Sequence, residues 1–164
     1  MKIFYQGIPG AYSHLAALEV YPDAEIVSCK TFDECFASAE KDDKSRIIIP
    51  ESNRITGNIG IEYLIFKHRL NIYAEHFHKI EHCLLGIPGA KLKDIKNVFS
   101  HHQALSQCSS FVKKNKITQN VRADTAGSAE IISKNNNKAE AAIASKLSAK
   151  IYKLDIIESN IENE

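Results

Sequence analysis

Residues 1–50 decide the fold class, and their sequence is MKIFYQGIPGAYSHLAALEVYPDAEIVSCKTFDECFASAEKDDKSRIIIP. The apolar pattern predicts strands at 2–5, 25–29 and 46–50, with helices at 11–21 and 31–40 between them. The run at 46–50 ends at a proline and is typical of a strand that is buried on both faces. Because strands and helices alternate, the sequence predicts an α/β fold with a parallel sheet.

The same alternation continues through the rest of the chain. The pattern predicts extended segments at 70–73 and 75–85, strands at 98–99, 120–123, 141–144 and 155–157, and helices at 103–113, 126–134 and 146–152. The polar run at 134–138 is too short for a domain linker and indicates a surface turn. The 164 residues therefore fit one domain or two small, coupled lobes.

Composition excludes several classes of function and bounds the compartment. Lys and Arg total 21 against 20 for Asp and Glu, so the net charge of +1 gives no reason to expect nucleic acid or an anionic membrane as partner. No apolar stretch approaches the roughly 20 residues of a membrane span, and the N-terminus lacks the apolar stretch of about 7–15 residues found in a secretory signal. The four cysteines form no C-x-x-C and are expected to be reduced thiols. These features predict a cytoplasmic protein.

Three segments place a strand end, small or hydroxyl residues and a helix start in succession. They are Gly7–His14, Ser100–Cys108 and Asp124–Ala129. Such a junction exposes backbone N–H groups at the positive end of a helix dipole, which suits a carboxylate or a phosphate. A purely structural role also explains each of them: a tight turn at the first, a capping box of Ser100 and Gln103 at the second, and a cap at the third.

A metal site is not expected from the histidines. His76, His78 and His82 would share one face if residues 75–83 formed a strand. No carboxylate or thiol joins them at a known ligand spacing in the sequence.

Five blocks, in order, resemble the prephenate dehydratase family over nearly the whole chain. They are Gly7-x-x-Gly10-Ala-Tyr-Ser-His14, Ser100-His-His-Gln-Ala-Leu-Ser-Gln-Cys108 with His102 in place of the family's Pro, Asp124-Thr-Ala126, Ala142-Ile-Ala-Ser145 with Ala149 and Tyr152-x-Leu154, and Asn160-Ile-Glu162. The resemblance implies two small α/β lobes of periplasmic-binding-protein type with a ligand cleft between them. Lobe 1 would span about 1–74 plus 155–164, and lobe 2 about 75–154.

The resemblance also implies the chemistry. The family converts prephenate into phenylpyruvate, with loss of carbon dioxide and water, in phenylalanine biosynthesis, and needs no metal or organic cofactor. A homodimer is expected by family analogy. The residues expected to bind the dicarboxylate substrate are Tyr12, Ser13, Asn53, Arg54, Ser100, Gln103, Thr125 and Ala126.

Two departures from the family pattern leave the activity open. In the block Pro50-Glu-Ser-Asn-Arg-Ile-Thr-Gly57, Ser52 stands where the family has Glu, and Arg54 stands where it has Ser. The sequence ends at Glu164, before the family's Thr-Arg-Phe segment, whose Thr is taken to assist departure of the hydroxyl; Thr56 is a substitute candidate. The chain is therefore expected to be impaired in catalysis, and feedback through a following ACT domain is not expected. The alternatives are a non-catalytic protein that binds a small carboxylate, and an arogenate dehydratase.

Overall fold

A computed structural model describes residues 1–53 and 57–163, without the side chain of Asn53. The chain divides into two compact units. Unit 1 contains Met1–Ile8 and Tyr12–His78, and unit 2 contains Pro9–Ala11 and Lys79–Glu164. Each unit has its own sheet with helices packed on it, which confirms the prediction of two small α/β lobes.

Unit 1 is built on a three-stranded parallel sheet in the order β2-β1-β3. Its elements are β1 (Lys2–Gln6), α1 (Tyr12–Val20), β2 (Glu25–Cys29), α2 (Phe32–Ala39), β3 (Arg46–Ile48), β4 (Ser52–Asn53), β5 (Gly57–Asn58) and α3 (Glu62–Lys67). The side chains of Ile3 and Tyr5 alternate inward along β1 and are buried, as are Cys35 and Phe36 of α2. The hydroxyl of Thr31 caps α2 by accepting a hydrogen bond from the backbone N–H of Glu34 at 3.1 Å.

The segment that follows α3 is irregular. Residues 69–82, all of them described, contain no strand, so of the extended segments predicted at 70–73 and 75–85 only the part from Cys83 onward is a strand. The side chains of Ile72, Tyr73 and Phe77 are 71%, 79% and 87% exposed, and the segment pairs with no sheet neighbour. A pattern of apolar residues alone predicted a strand where no pairing partner is present.

Unit 2 holds a mixed five-stranded sheet in the order β10-β6-β9-β7-β8. Its elements are β6 (Cys83–Gly86), a 3-10 turn (Leu92–Asp94), β7 (Asn97–His101), α4 (His102–Gln107), α5 (Ser109–Lys114), β8 (Thr118–Arg122), α6 (Thr125–Asn135), β9 (Glu140–Ala144), α7 (Lys146–Tyr152) and β10 (Asp155–Ser159). Strands β9, β7 and β8 are parallel, and β6 runs antiparallel to both β9 and β10. The core contains Leu84, Leu85, Val98 and Ile143, all with 0% exposure.

The final strand corrects the expected lobe boundaries. The sequence analysis assigned residues 155–164 to lobe 1, but β10 pairs with β6 and belongs to unit 2. Gly86 of β6 permits this pairing, since a Cβ there would lie 2.6 Å from Cδ1 of Ile157. The periodicity of a strand reveals that it is a strand but does not reveal its partner.

The helix predicted at 103–113 is two helices in the structure. The chain leaves helical geometry at Cys108, with φ −108° and ψ 15°, and α5 begins at the next residue. The side chain of Asn163 accepts a hydrogen bond from the N–H of Ser110 at 3.1 Å and donates one to the carbonyl of Ser106 at 3.2 Å. Because these bonds satisfy backbone groups on both sides of the break, a residue 53 positions away stabilises it.

Candidate functional site at the carboxyl edge of the unit 2 sheet

Three helices of unit 2 begin at the same edge of its sheet. Strands β9, β7 and β8 are parallel neighbours, so their carboxyl ends meet at one edge. Helices α7, α4 and α6 follow these strands directly. The first turn of each helix presents backbone N–H groups that lack intrahelical partners, and the helix dipoles add positive potential there. In open α/β sheets, ligands bind at this edge.

At the β7–α4 junction, Ser100 is fully buried and its hydroxyl donates a hydrogen bond to the carbonyl of Ile143 at 2.7 Å. The expected capping box of Ser100 and Gln103 is wrong, because the N-cap of α4 is His101, whose Nδ1 accepts from the N–H of Gln103 at 3.4 Å. The reason is that β7 continues to His101, which pairs with Arg122 of β8, so the N-cap falls one residue after Ser100.

The imidazoles of His101 and His102 lie together at this junction, with ring centroids 4.3 Å apart. Burial lowers the pKa of His101, the charge of His102 lowers it further, and the charge of Asp124 acts in the opposite direction. The charge of Asp124 affects the pKa of His101 because the β8–α6 junction lies close to the β7–α4 junction. His101 is therefore held as a neutral imidazole at pH 7.

At the β8–α6 junction, Asp124 caps the helix by accepting a hydrogen bond from the N–H of Gly127, which confirms one of the two predicted caps. Its carbonyl accepts a second hydrogen bond, from the hydroxyl of Ser128 at 2.7 Å. Thr125 is half-buried at the first position of α6, and Ala126 is buried behind it. The hydroxyl of Thr125 and the first-turn N–H groups thus sit at the sheet edge.

The β9–α7 junction anchors the segment Pro9–Ala11, which the sequence analysis treated only as a loop before a helix. The hydroxyls of Ser145 and Ser148 donate to the carbonyl of Gly10 at 2.6 and 3.0 Å, and the hydroxyl of Tyr152 donates to the carbonyl of Pro9 at 2.7 Å. Sequence reasoning assigned these three side chains no role. The available signal was that Ser145 and Tyr152 belong to the fourth block, in which Ser145 directly follows the buried strand β9.

The approach of this segment to α7 requires glycine at position 10. Its φ of +97° is rarely adopted by other residues, and a Cβ would lie 2.5 Å from Oγ of Ser148. The hydroxyl of Ser145 also caps α7 by accepting from the N–H of Ser148 at 3.1 Å. The second glycine of the Gly7-x-x-Gly10 motif is thereby explained by packing.

The predicted substrate residues are distributed over both units. Ser100, Gln103, Thr125 and Ala126 lie together at the carboxyl edge of the unit 2 sheet. Tyr12 and Ser13 are the half-buried first residues of α1 in unit 1, and Asn53 is in β4. Arg54 and Thr56 lie outside the described residues.

The sheet edge presents hydrogen-bond donors that suit an anion. Backbone N–H groups, the amide of Gln103 and the hydroxyl of Thr125 donate hydrogen bonds to carboxylates without carrying charge. The guanidinium of Arg122, at the end of β8, lies over the ring of Phe99 with 5.1 Å between its central carbon and the ring centroid. The edge can therefore hold a small carboxylate.

A family model described as prephenate dehydratase matches residues 3–164. The chain belongs to the prephenate dehydratase family. A relative from Arabidopsis thaliana, arogenate dehydratase/prephenate dehydratase 1, chloroplastic, is 41% identical over 165 residues, which cover 100% of this chain and 42% of that protein. The prephenate dehydratase of Staphylococcus aureus subsp. aureus Mu50 has a TM-score of 0.86 at 26% identity, covering 100% of this chain and 62% of that one. GqqA, described as a novel type of quorum quenching acylase, has a TM-score of 0.89 at 32% identity, covering 99% of this chain and 60% of that one.

This chain spans about two fifths of the length of the Arabidopsis family member that it matches. The expectation of a cytoplasmic location is contradicted by the Arabidopsis relatives, which are described as chloroplastic. Charge and apolar runs argue only against secretion and membrane insertion, and they do not distinguish compartments inside a cell. Among the described residues, no helix is both long and apolar enough to cross a membrane.

Proposed function

We propose that this chain is a prephenate dehydratase module, which converts prephenate into phenylpyruvate, the precursor of phenylalanine. The observation that carries the proposal is the family match over residues 3–164, with a relative at 41% identity across the whole chain. The sheet edge of unit 2 supports it, because the substrate carries two carboxylates and the edge presents neutral hydrogen-bond donors.

The proposed reaction breaks two bonds that join the substrate ring to its substituents, the carboxylate and the hydroxyl. The bond to the ring carboxylate breaks, carbon dioxide leaves, and the electron pair enters the ring as the hydroxyl departs with a proton to form water. Aromatisation of the ring supplies most of the driving force. The protein must hold the dianion in the reactive geometry and donate a hydrogen bond or proton to the departing oxygen.

The groups at the sheet edge fit the binding part of this task. We assign the substrate carboxylates to the first-turn N–H groups of α4 and α6, with the hydroxyl of Thr125 and the amide of Gln103 as side-chain donors. Ser100 supports them indirectly, because its hydroxyl proton is used by the carbonyl of Ile143 at 2.7 Å. Tyr12, Ser13, Asn53 and Arg54 remain proposed ligands from unit 1.

Arogenate is the second candidate substrate. It carries an amino group where prephenate has a keto group, and the Arabidopsis relative at 41% identity is named for both activities. The two substrates share the ring, the ring hydroxyl and both carboxylates. Discrimination between them must therefore depend on contacts to the side chain of the substrate.

The test is to measure formation of phenylpyruvate from prephenate and of phenylalanine from arogenate by the same protein. The proposal predicts turnover of prephenate, and a larger kcat/KM with arogenate would move the assignment to the second candidate. Binding of prephenate without turnover of either compound would support a non-catalytic carboxylate-binding protein. A protein that neither binds nor converts either compound would overturn the proposal.

We also propose that the protein is a homodimer. Family analogy suggests it, and Tyr63 and Phe66 of α3 support it, since they are 70% and 85% exposed and would gain from burial at an interface. Light scattering after size-exclusion chromatography measures the mass directly. A monomer at concentrations used for the activity assay would contradict the proposal.

A further inference from the structure

Three potential metal ligands converge in unit 1. Oε2 of Glu19, on α1, lies 3.1 Å from Nε2 of His76 and 2.9 Å from Nδ1 of His78. The three ligand atoms lie within 4.8 Å of one another. The sequence analysis grouped His76 and His78 with His82 and found no carboxylate, because Glu19 is 57 residues away from His76 in the chain. His82 belongs to unit 2, where its Nε2 lies 2.7 Å from Oε1 of Gln107.

We propose that Glu19, His76 and His78 form a zinc site. Zinc prefers imidazole nitrogen and carboxylate oxygen, at about 2.0–2.2 Å, in a tetrahedron whose edges are then about 3.3 Å. The two nitrogen–oxygen distances of 2.9 and 3.1 Å are within a few tenths of an ångström of that edge. Only the nitrogen–nitrogen distance has to adjust, and three protein ligands leave the fourth position to water.

The arrangement and the exposure of these side chains suit a metal ligand set. Oε2 of Glu19 lies within hydrogen-bonding distance of both imidazoles, so one carboxylate oxygen and two ring nitrogens already face one another. Nε2 of His78 is buried without a hydrogen-bond partner among the described residues, so Nδ1 is the nitrogen that faces the site. The side chains of Glu19 and His76 are 45% and 36% exposed, which leaves an entry path for the ion.

Zinc at this position would cross-link two parts of unit 1. Glu19 lies in the last turn of α1, whereas His76 and His78 lie in the irregular segment 69–82. In the absence of metal, that connection includes two hydrogen bonds to one carboxylate oxygen and the contact between the rings of Tyr12 and His78. Bound zinc would replace the two hydrogen bonds with coordinate bonds and raise the resistance of unit 1 to unfolding.

The experiment is calorimetric titration of the purified protein with zinc chloride at pH 7.5, together with NMR of the imidazole groups. The proposal predicts one zinc per chain and shifts of the ring signals of His76 and His78. Glu19→Ala and His76→Ala change residues on different elements, and each should weaken zinc binding at least tenfold. Removing a residue that only hydrogen-bonds to a metal ligand already lowers metal affinity by about that factor. The double variant His101→Gln/His102→Gln, which removes the other clustered pair of histidines, should bind zinc like the parent.

Each remaining outcome counts against the site. The proposal is overturned if zinc binds no more tightly than to a denatured sample, which would leave the cluster as a metal-free hydrogen-bonded contact. It is also overturned if the His101→Gln/His102→Gln variant loses zinc, or if Glu19→Ala keeps the parent affinity. Circular dichroism of each variant shows whether it is folded, and the two single variants can be judged independently.

Discussion

Replacing Gly10 by alanine is the sharpest test of how the N-terminal motif is held in unit 2. The new Cβ would lie 2.5 Å from Oγ, 3.1 Å from Cα and 3.2 Å from Cβ of Ser148, and the first of these separations is shorter than real contacts of this kind. Gly10 is buried, and its carbonyl accepts hydrogen bonds from both Ser145 and Ser148, so the segment cannot move away without breaking them. The substitution therefore combines backbone strain with overpacking.

The expected loss of stability has two parts. Holding a residue other than glycine at a φ of +97° costs roughly 1–3 kcal/mol. Overpacking of a well-filled site adds about 1–3 kcal/mol. Gly89→Ala is the matched control in the same unit, because its φ is +78° and the nearest atom to a new Cβ is Nζ of Lys138 at 3.7 Å, an ordinary contact. Both changes restrict the unfolded chain equally.

Urea unfolding followed by far-ultraviolet circular dichroism measures both variants against the parent. Gly10→Ala should lower the free energy of unfolding by about 1–3 kcal/mol more than Gly89→Ala does. Adding Ser148→Ala should recover part of the difference, because it removes the atom at 2.5 Å. Equal losses for Gly10→Ala and Gly89→Ala would refute the reasoning, since the contact with α7 would then not constrain this position.

Three further predictions concern unit 2. Asp124→Ala should lower the free energy of unfolding by about 1 kcal/mol through loss of the α6 cap, whereas Asp124→Asn should lower it by only a few tenths of a kcal/mol. Thermal melts of both variants measure the difference, and equal losses would contradict the cap assignment. Thr125→Ala should weaken binding of prephenate about tenfold or more in calorimetric titration, with a small change in melting temperature. Ser100→Ala should instead reduce stability by about 1–3 kcal/mol, because its hydroxyl is buried in the sheet. The reverse ranking of these two variants would reject the assignment of Thr125 as the ligand. Burial lowers the pKa of His82 below 6.5, although the hydrogen bond with Gln107 and the charge of Glu162 act in the opposite direction. Below pH 6.5 the unfolded state therefore binds more protons than the folded state, and the free energy of unfolding falls as the pH drops. His82→Gln should flatten that fall in urea unfolding at pH 5–7, and an unchanged slope would contradict it.

Regular elements with strong local signals could be predicted from the sequence. Strand β2 and helix α7 have the predicted bounds. Helix α3 was missed because Tyr63 and Phe66 point to solvent, so its apolar residues do not mark a buried face. The other errors depend on contacts between residues distant in sequence, which local periodicity does not report.

The candidate site shows the same division. The motifs identified two of the three junctions at the sheet edge, β7–α4 and β8–α6, but not β9–α7. They did not reveal that the hydroxyl of Ser100 is committed to the carbonyl of Ile143, or that Gly10 is held by Ser145 and Ser148. A serine in a motif is equally suited to binding a ligand and to satisfying a buried carbonyl, and only the fold decides between them.

Residues that bind the substrate and residues that catalyse its reaction can be distinguished by their effects on KM and kcat. The N–H groups at the sheet edge would contact the substrate carboxylates, which remain distant from the breaking bond to the hydroxyl. Contacts to the side-chain carboxylate, which takes no part in either breaking bond, stabilise the ground state and the transition state equally, so they lower KM without raising kcat. A variant such as Thr125→Ala should therefore raise KM and leave kcat nearly unchanged. A residue that donates to the departing hydroxyl should show the opposite pattern, a fall in kcat of about 10²–10³. If Thr125→Ala lowered kcat to that extent with KM unchanged, its hydroxyl would be aimed at the reacting oxygen, and the assignment of the sheet edge to carboxylate binding would have to be reversed.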